Sequence, residues 1–94
     1  MVLMQLSVKN EADKAGLLAL ADLQEDSVGV VDQIDLPEEL AGRLMELGFV
    51  PGHSVSVGRA APGGDPRVFR VDGSEIALRR ETSSCIYVRP AYEV

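Results

Sequence analysis

The chain has no tryptophan and only four other aromatic side chains among its 94 residues. Aromatic rings are the usual stacking surface for bases, so the sequence offers few platforms for such ligands. No apolar run approaches the roughly 20 residues that a membrane-spanning helix needs. The opening segment also lacks the basic start of a signal peptide. We therefore expect a cytoplasmic protein with no direct membrane insertion.

Only one cysteine, Cys85, and one histidine, His53, are present. A single cysteine excludes an intrachain disulfide, which agrees with a reducing compartment. Transition-metal sites usually need three or four His, Cys or carboxylate ligands. Four acidic residues are candidates for a hard cation, although such clusters are usually solvated surface: Asp13, Asp22, Glu25 and Asp26. We predict that no cofactor is required, and we leave weak divalent transition metal binding open.

Catalysis by a nucleophile or an acid–base pair needs groups that are clustered and mutually oriented. Cys85 lies in a predicted strand, where cysteine more often packs as a small hydrophobe, and His53 is predicted to be an exposed turn residue. A Cys–His site would require these two residues to meet in space. We predict no catalytic residues and no enzymatic activity.

Lysine is scarce, and the charge is unevenly distributed. The formal net charge is −6; the first 42 residues carry two lysines against nine acids, whereas seven arginines face six acids from Arg43 onward. An acidic chain argues against nonspecific nucleic-acid binding, which depends on neutralising phosphates. Arginine favours bidentate recognition of carboxylates. The alternative is that these arginines lie on solvated strand faces.

A leucine repeat predicts one helix over about residues 35–48. Four leucines fall on one helical face: Leu36, Leu40, Leu44 and Leu47. Asp35 precedes Glu38 by three residues, which is the spacing of a capping box. Pro37 falls near the first turn, where its missing N–H costs nothing. Gly48 is expected to end the helix in a left-handed conformation, and Pro51-Gly52 predicts a tight turn into a strand.

Short apolar stretches around this helix predict strands. They are residues 28–36, 54–60, 67–71, 74–78 and 85–90. The apolar positions of the first are Val28, Val30 and Ile34. Val55 and Val57 are expected to share one side of the second strand, and Ile86 and Val88 the inner side of the last.

Turn residues separate the later strands. "APGGDP" (61–66) has glycines that resemble a phosphate cradle, but it lacks the Gly-Lys-Ser/Thr ending and leads into no helix, so we interpret it as a strand connection. Asp72-Gly73 predicts a two-residue hairpin, and "RRETSS" (79–84) a short helical or 3₁₀ turn. We predict a mainly β fold, a small barrel of antiparallel strands with one inserted helix, because closure removes exposed edges.

Two stretches resemble the FeoA family, small cytosolic accessory proteins of bacterial ferrous iron uptake. "RLMELGFVPGHSV" (43–55) is similar to that family's Arg-Leu-x-x-Leu-Gly-Phe-x-Pro-Gly-x-x-Val. "APGGDPRVFRVDGSEIALRRETSSCIYV" (61–88) is similar to its Ala-Pro-x-Gly-Asp-Pro, Gly-x-x-Ile-Ala-Leu-Arg and Ile-x-Val. Three positions depart from the pattern: Asp26 replaces a common glycine, Gly42 a frequent arginine and Ser83 an alanine.

The resemblance implies an SH3-like barrel of about five strands over residues 18–90, with residues 1–17 as an N-terminal extension and 91–94 as a tail. It also implies a non-enzymatic role in iron homeostasis: binding or regulating FeoB, a membrane ferrous transporter with a cytosolic GTPase domain. Arg43 on the exposed side of the helix, with Arg79 and Arg80 after the fourth predicted strand, are our candidate partner contacts. The alternative is that these three arginines lie on barrel surface that contributes little to partner binding.

Two further hypotheses remain open. One is a metal-responsive SH3-like domain that binds a transition metal ion or regulates an iron-dependent repressor. The other is homo-oligomer formation through the N-terminal extension, which would add a strand across a dimer edge.

Overall fold

Alternating apolar residues build six strands in a computed structural model that describes residues 16–91 of the chain. They are β1 (Leu18–Ala19), β2 (Val28–Ile34), β3 (Ser54–Ala60), β4 (Arg67–Val71), β5 (Ser74–Leu78) and β6 (Ile86–Pro90). All pairs are antiparallel, in the order β1-β6-β2-β3-β4-β5. The mainly β prediction is confirmed, and the strand beyond the expected five is the two-residue β1. Predictions for residues 1–15 and 92–94 lie outside the described residues.

Three helical segments lie between these strands in the described part. They are a 3₁₀ turn (Leu20–Asp22), helix α1 (Glu38–Glu46) and helix α2 (Arg80–Ser83). The inserted helix is confirmed, but its predicted capping box with Asp35 as N-cap is wrong. Pro37 occupies the cap position, without a side-chain cap, and its carbonyl accepts the N–H of Ala41 at 2.8 Å. Proline's fixed φ suits this entry into a helix. None of the helices in this part of the chain is both long and apolar enough to cross a bilayer.

The end of α1 follows its predicted chemistry. Gly48 has a φ of +116°, and its N–H donates to the Met45 carbonyl at 3.0 Å. The Phe49 N–H donates to the Leu44 carbonyl at 3.0 Å. These two bonds form a Schellman motif, and both Leu44 and Phe49 are buried. The chain therefore leaves α1 already packed on the core.

The two predicted tight turns are confirmed. Across Pro51-Gly52, the His53 N–H donates to the Val50 carbonyl at 2.8 Å, and Gly52 has a φ of +97°. Asp72 and Gly73 have φ values of 53° and 79°, the pair of positive angles that a type I′ hairpin requires. The Asp72-Gly73 turn sets the register of β5 on β4, since Val71 and Ser74 pair on either side of it.

The core lies between the curved sheet, α1 and the 3₁₀ turn. Its buried cluster is Leu20, Leu23, Val31, Leu44, Phe49, Val55, Val57, Phe69, Val71, Leu78, Ile86 and Val88. The inward sides predicted for β3 and β6 are confirmed.

The apolar positions predicted for β2 are wrong in one respect, because Gly29 and Val31 are buried whereas Val28 is exposed. A Cβ at Gly29 would lie 3.0 Å from Val88 Cγ2, so only glycine lets these strands approach. The β2–β6 register also shifts between Val31 and Gln33, which breaks the simple alternation.

The strand order has two ends. In the described residues β5 pairs only with β4, and β1 only with β6. The hydrogen-bonded ladder of the described residues therefore has an edge strand at each end.

Candidate interaction surface

Helix α1 exposes part of the apolar face that the sequence predicts. Leu44 is 3% exposed, but Leu40 is 38% and Leu47 49% exposed. Arg43 is three residues after Leu40 and four before Leu47, so the three side chains are neighbours on the helix surface. We call this surface the α1 stripe: Leu40, Arg43 and Leu47. The four predicted leucines thus divide into core and surface positions, with Leu36 packed at the edge of the core.

Arg43 lies in the middle of the α1 stripe. Its side chain makes no hydrogen bond or ion pair with the residues described between 16 and 91. It lines a shallow depression of about 280 Å³ with Glu39 and Leu40. A guanidinium that has no partner within this described range and lies beside exposed leucines suits contact with another protein, since interface centres favour arginine and apolar groups.

Arg79 and Arg80, the other predicted contacts, lie at the start of α2 and are exposed. The backbone N–H of Arg80 donates to Asp65 Oδ1 at 2.9 Å, and its Nη2 lies 3.8 Å from Asp22 Oδ1. Arg79 uses its carbonyl to accept N–H groups of α2, and its side chain has no ion-pair partner in the described range. The Arg80 guanidinium therefore has one nearby carboxylate, whereas the Arg79 side chain has none among residues 16–91.

Arg67 is a structurally important arginine that our sequence reasoning missed. Its Nη1 donates to the carbonyls of Ala21 at 2.9 Å and Leu23 at 2.8 Å. The period-two alternation of β4 places Arg67 on the same side as Phe69 and Val71, which are buried. This alternation in the sequence could have indicated that the Arg67 side chain points inward. Arg67 fastens the 3₁₀ turn to the sheet.

A wider groove of about 710 Å³ lies where the 3₁₀ turn, the start of β2 and the end of β6 meet. Its lining includes the exposed apolar side chains of Leu18 and Val28 and the carboxylates of Asp22 and Asp26. Mixed apolar and acidic walls suit a polypeptide better than a phosphorylated ligand, because the carboxylates would repel phosphate.

The single histidine and the single cysteine have different neighbours. His53 is exposed, as predicted, with Nδ1 3.4 Å from Asp72 Oδ2. Cys85 lies in the turn before β6 and not in the predicted strand, and its Sγ donates to the Glu81 carbonyl at 3.7 Å. Within residues 16–91 no group of three or more His, Cys, Asp or Glu side chains is placed to hold a metal ion.

Comparison with known proteins gives a consistent picture. A family model of the FeoA domain matches residues 18–90. The Fe(2+) transport protein A/Fe(2+) transporter FeoB fusion protein of Porphyromonas gingivalis is 30% identical over 71 residues, which are 76% of this chain and 8% of that protein. The chain thus spans less than a tenth of this relative's length.

Solved structures also resemble this chain. The FeoA protein from Chlorobium tepidum has a TM-score of 0.76 and 29% identity, covering 80% of this chain and 71% of its own. FeoA of Stenotrophomonas maltophilia, a prokaryotic SH3 domain protein solved in complex with zinc, has a TM-score of 0.64 and 34% identity, covering 73% and 86%. The SH3-like fold prediction is confirmed.

Proposed function

This chain belongs to the FeoA domain family, and on that premise we propose that it is a non-enzymatic accessory protein of ferrous iron uptake. It binds the cytosolic part of an FeoB-type membrane GTPase transporter. The supporting observation is the fusion protein of P. gingivalis, in which a similar stretch is joined in one polypeptide with the transporter FeoB. Fusion raises the effective concentration of one domain at the other, which favours partners that act together.

We assign the contact to the α1 stripe. It combines two exposed leucines with an arginine that has no partner in the described range. Burying these leucines against a partner would remove apolar surface from water, and Arg43 would supply a directed bond to a carboxylate. Arg79 is a second contact position, and Arg80 contributes less because its guanidinium already lies 3.8 Å from the Asp22 carboxylate.

A binding measurement tests the contact surface. The isolated cytosolic domain of the FeoB-type transporter is immobilised, and the full chain is titrated with and without guanine nucleotide. Leu47→Ser and Arg43→Glu should each weaken binding by about tenfold or more, as expected for interface centres. Met45→Ser is the matched control: Met45 is on α1 and 42% exposed, but it lies off the stripe, so its affinity should change less than about threefold.

Different outcomes contradict different parts of the proposal. If Arg79→Glu weakens binding and the α1 stripe variants do not, the contact lies at α2 and the assignment of the stripe is wrong. If the unchanged chain shows no binding at tens of micromolar in either nucleotide state, the accessory role itself is contradicted.

A second candidate is the metal-responsive domain, supported by the zinc complex of the S. maltophilia relative. In this chain the pair His53–Asp72 offers two ligands at the surface, which suits weak binding only. Calorimetry with Zn²⁺ or Fe²⁺ should then give weak binding that is lost in His53→Ala and kept in Cys85→Ser. If both variants bind the metal ion as the unchanged chain does, this assignment of the metal site is contradicted.

A further inference from the structure

The outer edge of β5 exposes unpaired backbone groups. The hairpin turn at Asp72-Gly73 pairs Val71 with Ser74, and a two-residue type I′ turn makes this flanking pair a hydrogen-bonded one. Bonded and non-bonded pairs then alternate along an antiparallel ladder. Glu75 and Ala77 fall on the non-bonded positions, so their N–H and C=O groups point away from β4.

Nothing in the described chain covers or disrupts this edge. Ser74, Glu75 and Ala77 are all exposed. The β4–β5 register runs through five consecutive pairs without a bulge, and β5 contains no proline. Proteins usually protect long edges with prolines or bulges. The opposite edge strand, β1, is only two residues long, so it has fewer backbone groups with which another strand could pair.

We propose that two copies of this chain associate by antiparallel pairing of their β5 edges, with the two-fold axis at Ile76. In this register Glu75 of each copy lies opposite Ala77 of the other, and these residues exchange four backbone hydrogen bonds. All five residues of β5 are paired. The proposal is independent of the transporter contact on α1.

The charges along the edge fit this register. A register centred on Glu75 would place two carboxylates directly opposite one another, which is unfavourable. The register centred on Ile76 avoids this and brings Arg79 and Arg80, which follow β5, beside Asp72, which precedes β5 in the other copy. Each Glu75 also keeps its own Arg70, whose Nε lies 3.2 Å from Glu75 Oε2, so the diagonal pair of glutamates is compensated.

Charged substitutions at Ala77 test the register. Ala77→Lys should strengthen self-association because each lysine faces Glu75 of the other copy, whereas Ala77→Glu should weaken it. The symmetric dimer contains two such contacts, so the dimer dissociation constants of the two variants should differ by about tenfold. Sedimentation equilibrium of the full chain up to about 1 mM measures them. Gln24→Lys and Gln24→Glu repeat the charge changes at an exposed position outside β5, and should leave the constant within about twofold.

A backbone variant tests the hydrogen bonds. Ala77→Pro removes an N–H that β4 does not use, which an edge strand tolerates, and should abolish the dimer while circular dichroism shows a folded monomer. If this variant fails to fold, the comparison of Ala77→Lys with Ala77→Glu alone tests the proposal. The proposal is overturned if the unchanged chain and Ala77→Lys both stay monomeric at about 1 mM, or if Ala77→Lys weakens association as Ala77→Glu does. Dimerisation of folded Ala77→Pro at unchanged strength would overturn it too.

Discussion

At Gly48 the backbone angle and the surrounding space both require glycine. Its φ is +116°, and a Cβ built there would lie 3.0 Å from Asp72 Oδ2 and 3.3 Å from each methyl group of Val71. A neighbouring glycine, Gly42 in α1, has neither constraint, since nothing lies within 4 Å of the position that a Cβ would occupy there. The two glycines therefore permit a direct comparison of strain with helix propensity.

Gly48→Ala should lower the free energy of unfolding by about 1–3 kcal/mol, because the left-handed conformation and the overpacking against Val71 both penalise a side chain. Gly42→Ala should instead raise it by up to about 1 kcal/mol through helix propensity. Urea denaturation of both variants measures the difference. Equal effects of the same sign would contradict the structural account of Gly48.

Arg67 should contribute to stability through its two carbonyl acceptors. Arg67→Met keeps much of the apolar stem but leaves the carbonyls of Ala21 and Leu23 without their donor, so it should cost about 1–3 kcal/mol of unfolding free energy. Arg59→Met is the control, because Arg59 is exposed and its side chain has no partner in the described part. Its effect should stay within about 0.5 kcal/mol, and a larger loss there than at Arg67 would refute this role.

At the scale of elements, α1 combines a buried row with a surface row. Leu44→Ala should destabilise the fold by about 2–5 kcal/mol because it leaves a cavity beside Phe49. Leu47→Ala should cost less than about 1 kcal/mol, since half of that side chain is already in water. Thermal unfolding of the two variants separates these rows. Similar losses would mean that Leu47 is part of the core and unsuited to partner contact.

The elements that the sequence predicts well are those whose chemistry is local. The helix end and the two turns form as expected at Gly48, Pro51-Gly52 and Asp72-Gly73. The conformation at each of these positions depends on the side chain of that residue, or on the absence of one in glycine. The inward side of β2 was not predictable, because the bulge near Val31 and the close approach at Gly29 depend on β6. The exposure of Leu40 and Leu47 likewise depends on how much of the helix the sheet can cover.

Less of the candidate site was predictable than of the fold. Arg43 is exposed on α1, as the sequence predicts, but the exposed leucines beside it were not expected. The roles of Arg43, Arg79 and Arg80 in partner contact remain predictions. Arg67 shares the inward alternation of β4, yet its acceptors lie more than 40 residues away along the chain. No local pattern reveals such distant partners.

At the scale of the molecule, the described core is contained within one continuous stretch. Every member of its buried cluster lies from Leu20 to Val88. A chain of residues 16–91 should therefore unfold cooperatively. A chain that starts at residue 24 lacks Leu20 and Leu23, and should lose about 3 kcal/mol or more. Calorimetry compares them, and a non-cooperative transition for residues 16–91 would contradict this core. The predicted dimer contact of residues 1–17 stays a prediction, separate from the β5 edge.

The pairing of β1 with β6 has one consequence for the architecture of longer proteins. Leu18 lies opposite Val88, so the polypeptide enters and leaves this unit at adjacent points. Neighbouring termini are what circular permutation and insertion into a host loop require. A short bridge between residues 16 and 91, with new ends opened between Gly63 and Gly64, should preserve the same architecture in a rearranged gene.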